Sequence, residues 1–212
     1  MLTIYGRTTS FNVQKVMWLV GELGLPHVRR DVGGKFGGTT TPEFLAMNPN
    51  GKIPVINDDG VIVWESNAIV RYFTARYATG SWCPADPGRR AQADQWMDWI
   101  ATTLNVGFMG LFVGYIRTAP ERRNWAAIRA DQERCAQDYG LLDRHLAQRA
   151  YMLGETITMA DIPVGASLYR YFSFDLDRPP LPHLNAYYAR LTARPAYRQH
   201  VMVPYDELKG TL

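Results

Sequence analysis

The stretch "NPNGKIPVINDDGVIVWESNAIVRY", residues 48–72, decides the fold. "IPVI" and "VIVW" are short β-branched runs, and Asp58-Asp59-Gly60 lies between them. An Asp-Gly pair in that setting signals a hairpin. The segment after it, "SNAIVRYFTARYA", has helical periodicity. Pro54 falls inside "GKIPVI", although proline has no N–H for a strand ladder and is confined to edges and bulges. A proline there leaves a neighbouring backbone group unpaired for something else to use.

Upstream, "LTIYG" reads as a first strand. "NVQKVMWLVGELGL" sets Val13, Val16, Met17, Val20 and Leu23 on one helical face, with Gly24 as a stop. "HVRRDV" is a second strand, "GGKFGGTTT" a loop and "PEFLAM" a short helix. Residues 1–78 therefore run βαβ and then ββα. "TGSWCPADPGRR" is rich in Pro and Gly and covers the linker, residues 79–88. From there to residue 212 the periods are helical, with no strand alternation. The predicted architecture is a small α/β domain over 1–78 and an all-α domain over 89–212.

Composition narrows the function classes. Of 212 residues, 47% are hydrophobic, enough for one substantial core or two small ones. A net charge of +3, without basic runs interleaved with aromatics, argues against nucleic acid. The apolar stretches, such as "VGFMGLFVGYI", contain glycines and fall short of the roughly 20 residues a bilayer span needs. "MLTIYGR" enters a strand without a basic and then apolar leader, so the reading is cytoplasmic. Cys83 and Cys135 form no CxxC, and His27, His145, His183 and His200 are scattered. No metal site is expected.

Over nearly its whole length the chain resembles the cytosolic glutathione transferase superfamily, through "NPNGKIPVI", "ESNAIVRY" and "TMAD" in that order. The resemblance implies a thioredoxin-like N-terminal domain, an all-helical C-terminal domain, and a homodimer with Asp94 and Asp98 near the interface, though a solvated helix face explains those two carboxylates equally well. It implies that Pro54 is cis and that Ile53 offers its main chain to the cysteinyl unit of glutathione, like an added strand. Ser66, opening a helix, would hold the γ-glutamyl carboxylate, and Glu65 the α-ammonium. Lys52 is a candidate for the glycine carboxylate; a solvated surface lysine explains it almost as well.

The chemistry needs a thiolate, and a free thiol has a pKa near 8.5. One good hydrogen bond to sulfur near a helix N-terminus supplies the preference required. The donor belongs in the loop "GRTTSFNVQKV". Ser10 matches the catalytic serine of theta-like transferases, and Ser10 with Asn12 resembles the Thr-x-Asn pair of the bacterial nu class. Thr8 and Thr9 lie within a residue or two, and both Ser10 and Asn12 are also common helix caps. Tyr5 lies too early for the tyrosine of the alpha, mu and pi classes, and the loop lacks the cysteine of the omega and beta types.

"ITMADI" reads as a helix start, with Thr158 as N-cap, Asp161 in a capping box, and Ile157 and Ile162 as a staple. Trp96, Trp99, Phe108, Phe112 and Tyr115 are candidate walls for a second-substrate pocket, though an aromatic stripe at helical spacing more often builds core. The resemblance implies attack of the glutathione thiolate on a small hydrophobic electrophile, by conjugation or by peroxide or disulfide reduction. A non-catalytic glutathione-binding regulator or assembly module of the same fold is the alternative.

Overall fold

The computed structural model describes residues 1–212. Strands β1 (Leu2–Tyr5), β2 (His27–Arg30), β3 (Val55–Asp58) and β4 (Val61–Trp64) form one sheet in the order β2-β1-β3-β4. β1 and β2 are parallel, joined through helix α1 (Phe11–Glu22); β1–β3 and β3–β4 are antiparallel. Helices α2 (Pro42–Met47) and α3 (Ser66–Tyr77) complete the βαβ–ββα order. Pro54 lies just outside the ladder, because β3 begins at Val55, so the strand read from "GKIPVI" is shorter than its apolar run. The β3–β4 loop has two residues, Asp59 (φ 50°) and Gly60 (φ 95°), the pair of positive φ values that a tight hairpin turn requires.

Helix α1 is buried over Phe11–Val20 except at Asn12, which is half-buried. Gly24 ends it at φ 62°, with the Leu25 N–H bonded to the Val20 carbonyl and the Gly24 N–H to Gly21. That pattern satisfies the last carbonyls and uses the left-handed conformation glycine takes without steric cost.

The chain divides into two compact units, Met1–Ala85 with Arg194–Val203, and Asp86–Ala193 with Pro204–Leu212. The segment at 194–203 departs from the expected division, which placed all of 89–212 in the helical domain. It carries helix α8 (Pro195–His200), which follows α4 (Pro87–Arg117), α5 (Trp125–His145), α6 (Asp161–Ser173) and α7 (Pro182–Thr192) of the second unit. Its attachment to the first unit has a clear physical cause. Arg194 donates through Nε and Nη2 to the two carboxylate oxygens of Glu22, both at 2.7 Å, and Trp18 Nε1 donates to Glu22 at 2.8 Å. The Tyr197 ring meets Trp18 edge-on at 4.9 Å.

Helix α4 is longer than the apolar stretches of the sequence indicate. It runs 31 residues, passes through two π-helical stretches at Ile100–Leu104 and Phe112–Arg117, and has an 18-residue window of mean hydropathy 1.4. By length and composition alone it matches a membrane span. Met97, Ile100, Leu104, Phe108, Leu111 and Phe112 are instead buried in the core of the second unit. Phe108 and Phe112, two of the candidate pocket walls, are thus core residues, both stacked with Phe174.

The "TMAD" segment works differently from its expected form. Helix α6 starts at Asp161, with Ala160 and not Thr158 in the cap position. The Asp161 carboxylate reaches back to the Thr158 N–H (2.8 Å), and the Thr158 hydroxyl donates to it as well (3.2 Å). The same carboxylate accepts the Met152 N–H and the Tyr187 hydroxyl, each at 2.9 Å. Burial pushes the Asp161 carboxyl up to about 6, while these four hydrogen bonds pull the other way.

Candidate active site

Two turns and two helix starts of the first unit carry the candidate residues. The β1–α1 loop comes first, and it is braced from several sides. The Gly6 N–H bonds to the Arg30 carbonyl, and the Gly6 carbonyl accepts from Arg29 Nη1 at 2.8 Å. Gly6 has φ 154°, and a Cβ on it would lie 2.4 Å from Val13 Cγ2, so only glycine fits where the strand turns into the loop. Arg7 Nη1 donates to the Thr9 hydroxyl at 2.5 Å, and buried Gln14 donates to the Thr8 carbonyl at 3.1 Å. Thr9 is buried and its hydroxyl is engaged, whereas Thr8 is exposed.

Ser10 takes the N-cap position of α1, yet its side chain makes no capping bond. A serine in that position ordinarily satisfies an N–H of the first turn. Here the half-buried hydroxyl is left at the positive end of a twelve-residue helix. Asn12, the second residue of the helix, accepts from Ser66 Oγ at 3.3 Å through Oδ1, which leaves its amide N–H₂ to donate elsewhere. This bond joins the loop of the expected thiolate donors to the expected γ-glutamyl site, 54 residues further along the chain.

The second turn is Ile53–Pro54, whose peptide bond is cis. The half-buried Ile53 forms no backbone hydrogen bond within the chain. Beneath it, Asn48 is buried and donates through Nδ2 to the Lys52 carbonyl at 2.8 Å. The Lys52 side chain is exposed, and no contact ties it to the other candidates.

Glu65 is the N-cap of α3 at φ 69°, without a side-chain capping bond. A non-glycine residue there carries backbone strain of about 1–3 kcal/mol, a cost that recurs at functional sites. Its exposed carboxylate stands outside the helix, while the buried Ser66 opens it. The first N–H groups of α3 have no partners in their own helix and favour a negative charge.

Lys15 is the site residue that sequence reasoning missed. It is buried, its Nζ lies 4.5 Å from the centre of the Phe11 ring, and Glu65 acts on it electrostatically. Burial pushes the ammonium down to about 8, against the Glu65 carboxylate, which favours the charged form. The only sequence signal is a lysine interrupting the apolar face of α1, next to another buried polar residue, Gln14. The structure therefore links Asn12 to Ser66 and Lys15 to Glu65. It places an unbonded Ser10 hydroxyl at one helix start and an unpaired Ile53 backbone at the neighbouring turn.

An exposed carboxylate, a helix start, a free main chain and an uncommitted hydroxyl suit a peptide with an ammonium, carboxylates and a thiol. Comparisons with known proteins give the family. Residues 4–82 match the family described as "Glutathione S-transferase, N-terminal domain" and residues 126–190 the family "Glutathione S-transferase, C-terminal domain". The chain is 42% identical to glutathione S-transferase GstB of Escherichia coli K12, over 96% of this chain and 99% of that protein. The crystal structure of the theta class glutathione S-transferase of Xanthomonas axonopodis pv. citri, with glutathione bound, superimposes with a TM-score of 0.92. The two are 43% identical over 96% of this chain and 98% of that one. Elongation factor 1-gamma 2 of Oryza sativa subsp. japonica is 31% identical over 75% of this chain, which corresponds to 38% of that protein. The chain belongs to the glutathione S-transferase family.

Proposed function

We propose that this glutathione transferase holds glutathione on residues 1–78, as its thioredoxin-like domain, and turns the thiol into a thiolate with Ser10, assisted by Asn12. Ile53 pairs with the cysteinyl main chain beside Pro54, Ser66 and the start of α3 take the γ-glutamyl carboxylate, and Glu65 takes the ammonium. Lys52 takes the glycine carboxylate. The thiolate then attacks a small hydrophobic electrophile held by residues 89–212, by conjugation or by reduction of a peroxide or disulfide. Catalysis on this reading is pKa lowering plus proximity. The working form is a cytoplasmic homodimer in detoxification.

The observation that carries the reading is the Asn12–Ser66 hydrogen bond, which ties the α1 start to the α3 start, beside a Ser10 hydroxyl not spent on capping. A hydrogen bond to a charged group is worth about 1.5–3 kcal/mol. Ser10→Ala is accordingly expected to lower kcat/KM for a generic aryl halide by about 10–100-fold, with a smaller loss in Asn12→Ala. Both variants should still be retained on immobilised glutathione. Full activity in both variants overturns the catalytic assignment.

The second reading is a non-catalytic module that binds glutathione or assembles with other proteins. The similarity to elongation factor 1-gamma 2 favours it, since there the matched part is a minor share of a longer chain. Retention on immobilised glutathione with no turnover across aryl halides, peroxides and disulfides would select it.

A further inference from the structure

A cavity of about 470 Å³ lies wholly within the second unit, between the first turns of α4, the end of α5 and the turn that follows it. None of the residues assigned to glutathione lines it. Its volume is within the range of about 300–1,000 Å³ that takes a small organic ligand. Arg89 and Trp96 of α4 line it, together with His145, the last residue of α5, and Arg149 just beyond. Trp96, read from the sequence as a candidate wall for a second-substrate pocket, packs here against the His145 ring at 4.4 Å.

The cations point to the ligand. Arg89 Nη2 donates to the Leu153 carbonyl at 3.1 Å, and Arg149 Nη1 to the His145 carbonyl at 2.7 Å. Each guanidinium is held by a single backbone bond, out of the five N–H groups it carries, and neither forms an ion pair. No Asp or Glu lines the cavity. The His145 ring donates to the Met152 carbonyl at 2.8 Å. Burial pushes its imidazolium below the ordinary value; the Met152 bond opposes that and Arg149 adds to it. Part of this has an ordinary cause, because cations are favoured at the C-terminal end of a helix, where His145 and Arg149 stand. Arg89 lacks that cause. It lies in the first turn of α4, the end that favours acids. The Asp86 carboxylate there accepts the Arg89 backbone N–H at 2.8 Å and does not pair with the guanidinium. Two anchored guanidiniums thus share one cavity without a counter-charge.

We propose that this cavity binds a small phosphate monoester, its dianionic phosphate held by Arg89 and Arg149 and its organic part against Trp96. A guanidinium fork matches phosphate oxygens bidentately, and a doubly charged group answers two cations. With a second pKa near 6, a monoester carries both charges at neutral pH. The site goes beyond the glutathione reading and does not depend on it.

Calorimetry on the full chain at pH 7.5 decides the matter with phenyl phosphate, its singly charged methyl ester and inorganic phosphate. Phenyl phosphate is expected to bind at least tenfold more tightly than the methyl ester and several-fold more tightly than inorganic phosphate. Arg89→Gln and Arg149→Gln should each abolish the preference for the dianion while keeping the far-UV circular dichroism. Equal affinity for the methyl ester, or a preference surviving in both variants, overturns the proposal; equal affinity for inorganic phosphate overturns the monoester assignment. A second readout does not rely on those variants: phenyl phosphate should change the tryptophan emission, and Trp96→Phe should remove that change. A change that persists in Trp96→Phe, or displacement of phenyl phosphate by glutathione, puts the ligand elsewhere and refutes the site. Retention on immobilised glutathione, followed in parallel, reports on the glutathione reading separately.

Discussion

At position 15 a lysine has been packed into the apolar layer of the first unit, where a leucine or methionine would fit at lower cost. Desolvation pushes its ammonium down to about 8 from 10.5. The folded chain therefore binds fewer protons than the unfolded chain between about pH 8 and 10.5, and stability from this group rises with pH across that window. Below it the whole cost of burying the charge is present. Lys15→Met should accordingly raise the free energy of unfolding at pH 7 by on the order of 2–3 kcal/mol, and denaturant melts of the two proteins should converge towards pH 10. Comparing the two removes the contribution of Cys135, whose thiol burial pushes up to about 12 and which acts in the opposite direction. If the difference does not shrink as pH rises, the buried charge is not its source. Lys15 was not legible in the sequence because its environment comes first from burial in the packed layer of the first unit and then from Glu65, fifty residues away. Ser10, Asn12, Ile53, Glu65 and Ser66 became candidates through the resemblance to the transferases, and each lies beside a turn or helix start that leaves its own mark in the chain. What could not be read was that the Ser10 hydroxyl declines the cap and that Asn12 bonds Ser66.

Among the elements, α6 shows a local signal with a non-local purpose. "TMAD" was readable as a helix start because its partners lie three residues apart. Met152 and Tyr187 were not, lying 9 and 26 residues from Asp161. The carboxylate joins the start of α6 to α7 and to the turn at Tyr151–Gly154, where the chain makes an isolated bridge. Asp161→Ala would leave two backbone N–H groups and a phenol without acceptors in a dry setting, each at about 1–3 kcal/mol. The expected loss is about 3–5 kcal/mol, or roughly 6–20 °C in Tm for a chain of this size, measured by thermal melts. A loss under about 1 kcal/mol would mean that the junction is held by apolar packing alone. The hairpin was the most legible element, because Asp59-Gly60 states its turn chemistry outright, whereas the length of α4 was hidden by the glycines within it.

For the whole molecule, the chain enters the first unit at its start, leaves for the second, and returns with α8 before ending in the second. That return was invisible to periodicity: "RPAYRQH" is helical in pattern and continues a run of helices, so only Glu22 and Trp18 reveal where it belongs. A chain ending at residue 193 is expected to lose cooperative unfolding of its first unit and retention on immobilised glutathione, although every residue assigned to glutathione remains. The tryptophan emission of Trp18, compared with a Trp18→Phe version of the same truncation, would report its exposure to water; a buried signature and retained binding would show that α8 is dispensable. The same return sets a timetable for synthesis. The first unit cannot close until Val201, buried in it, has left the ribosome, and the intervening hundred or so residues take about 5–20 s at about 5–20 residues per second. During that interval the α1 surface beneath α8 is bare, so the nascent chain offers chaperones an apolar handhold that the finished protein has withdrawn.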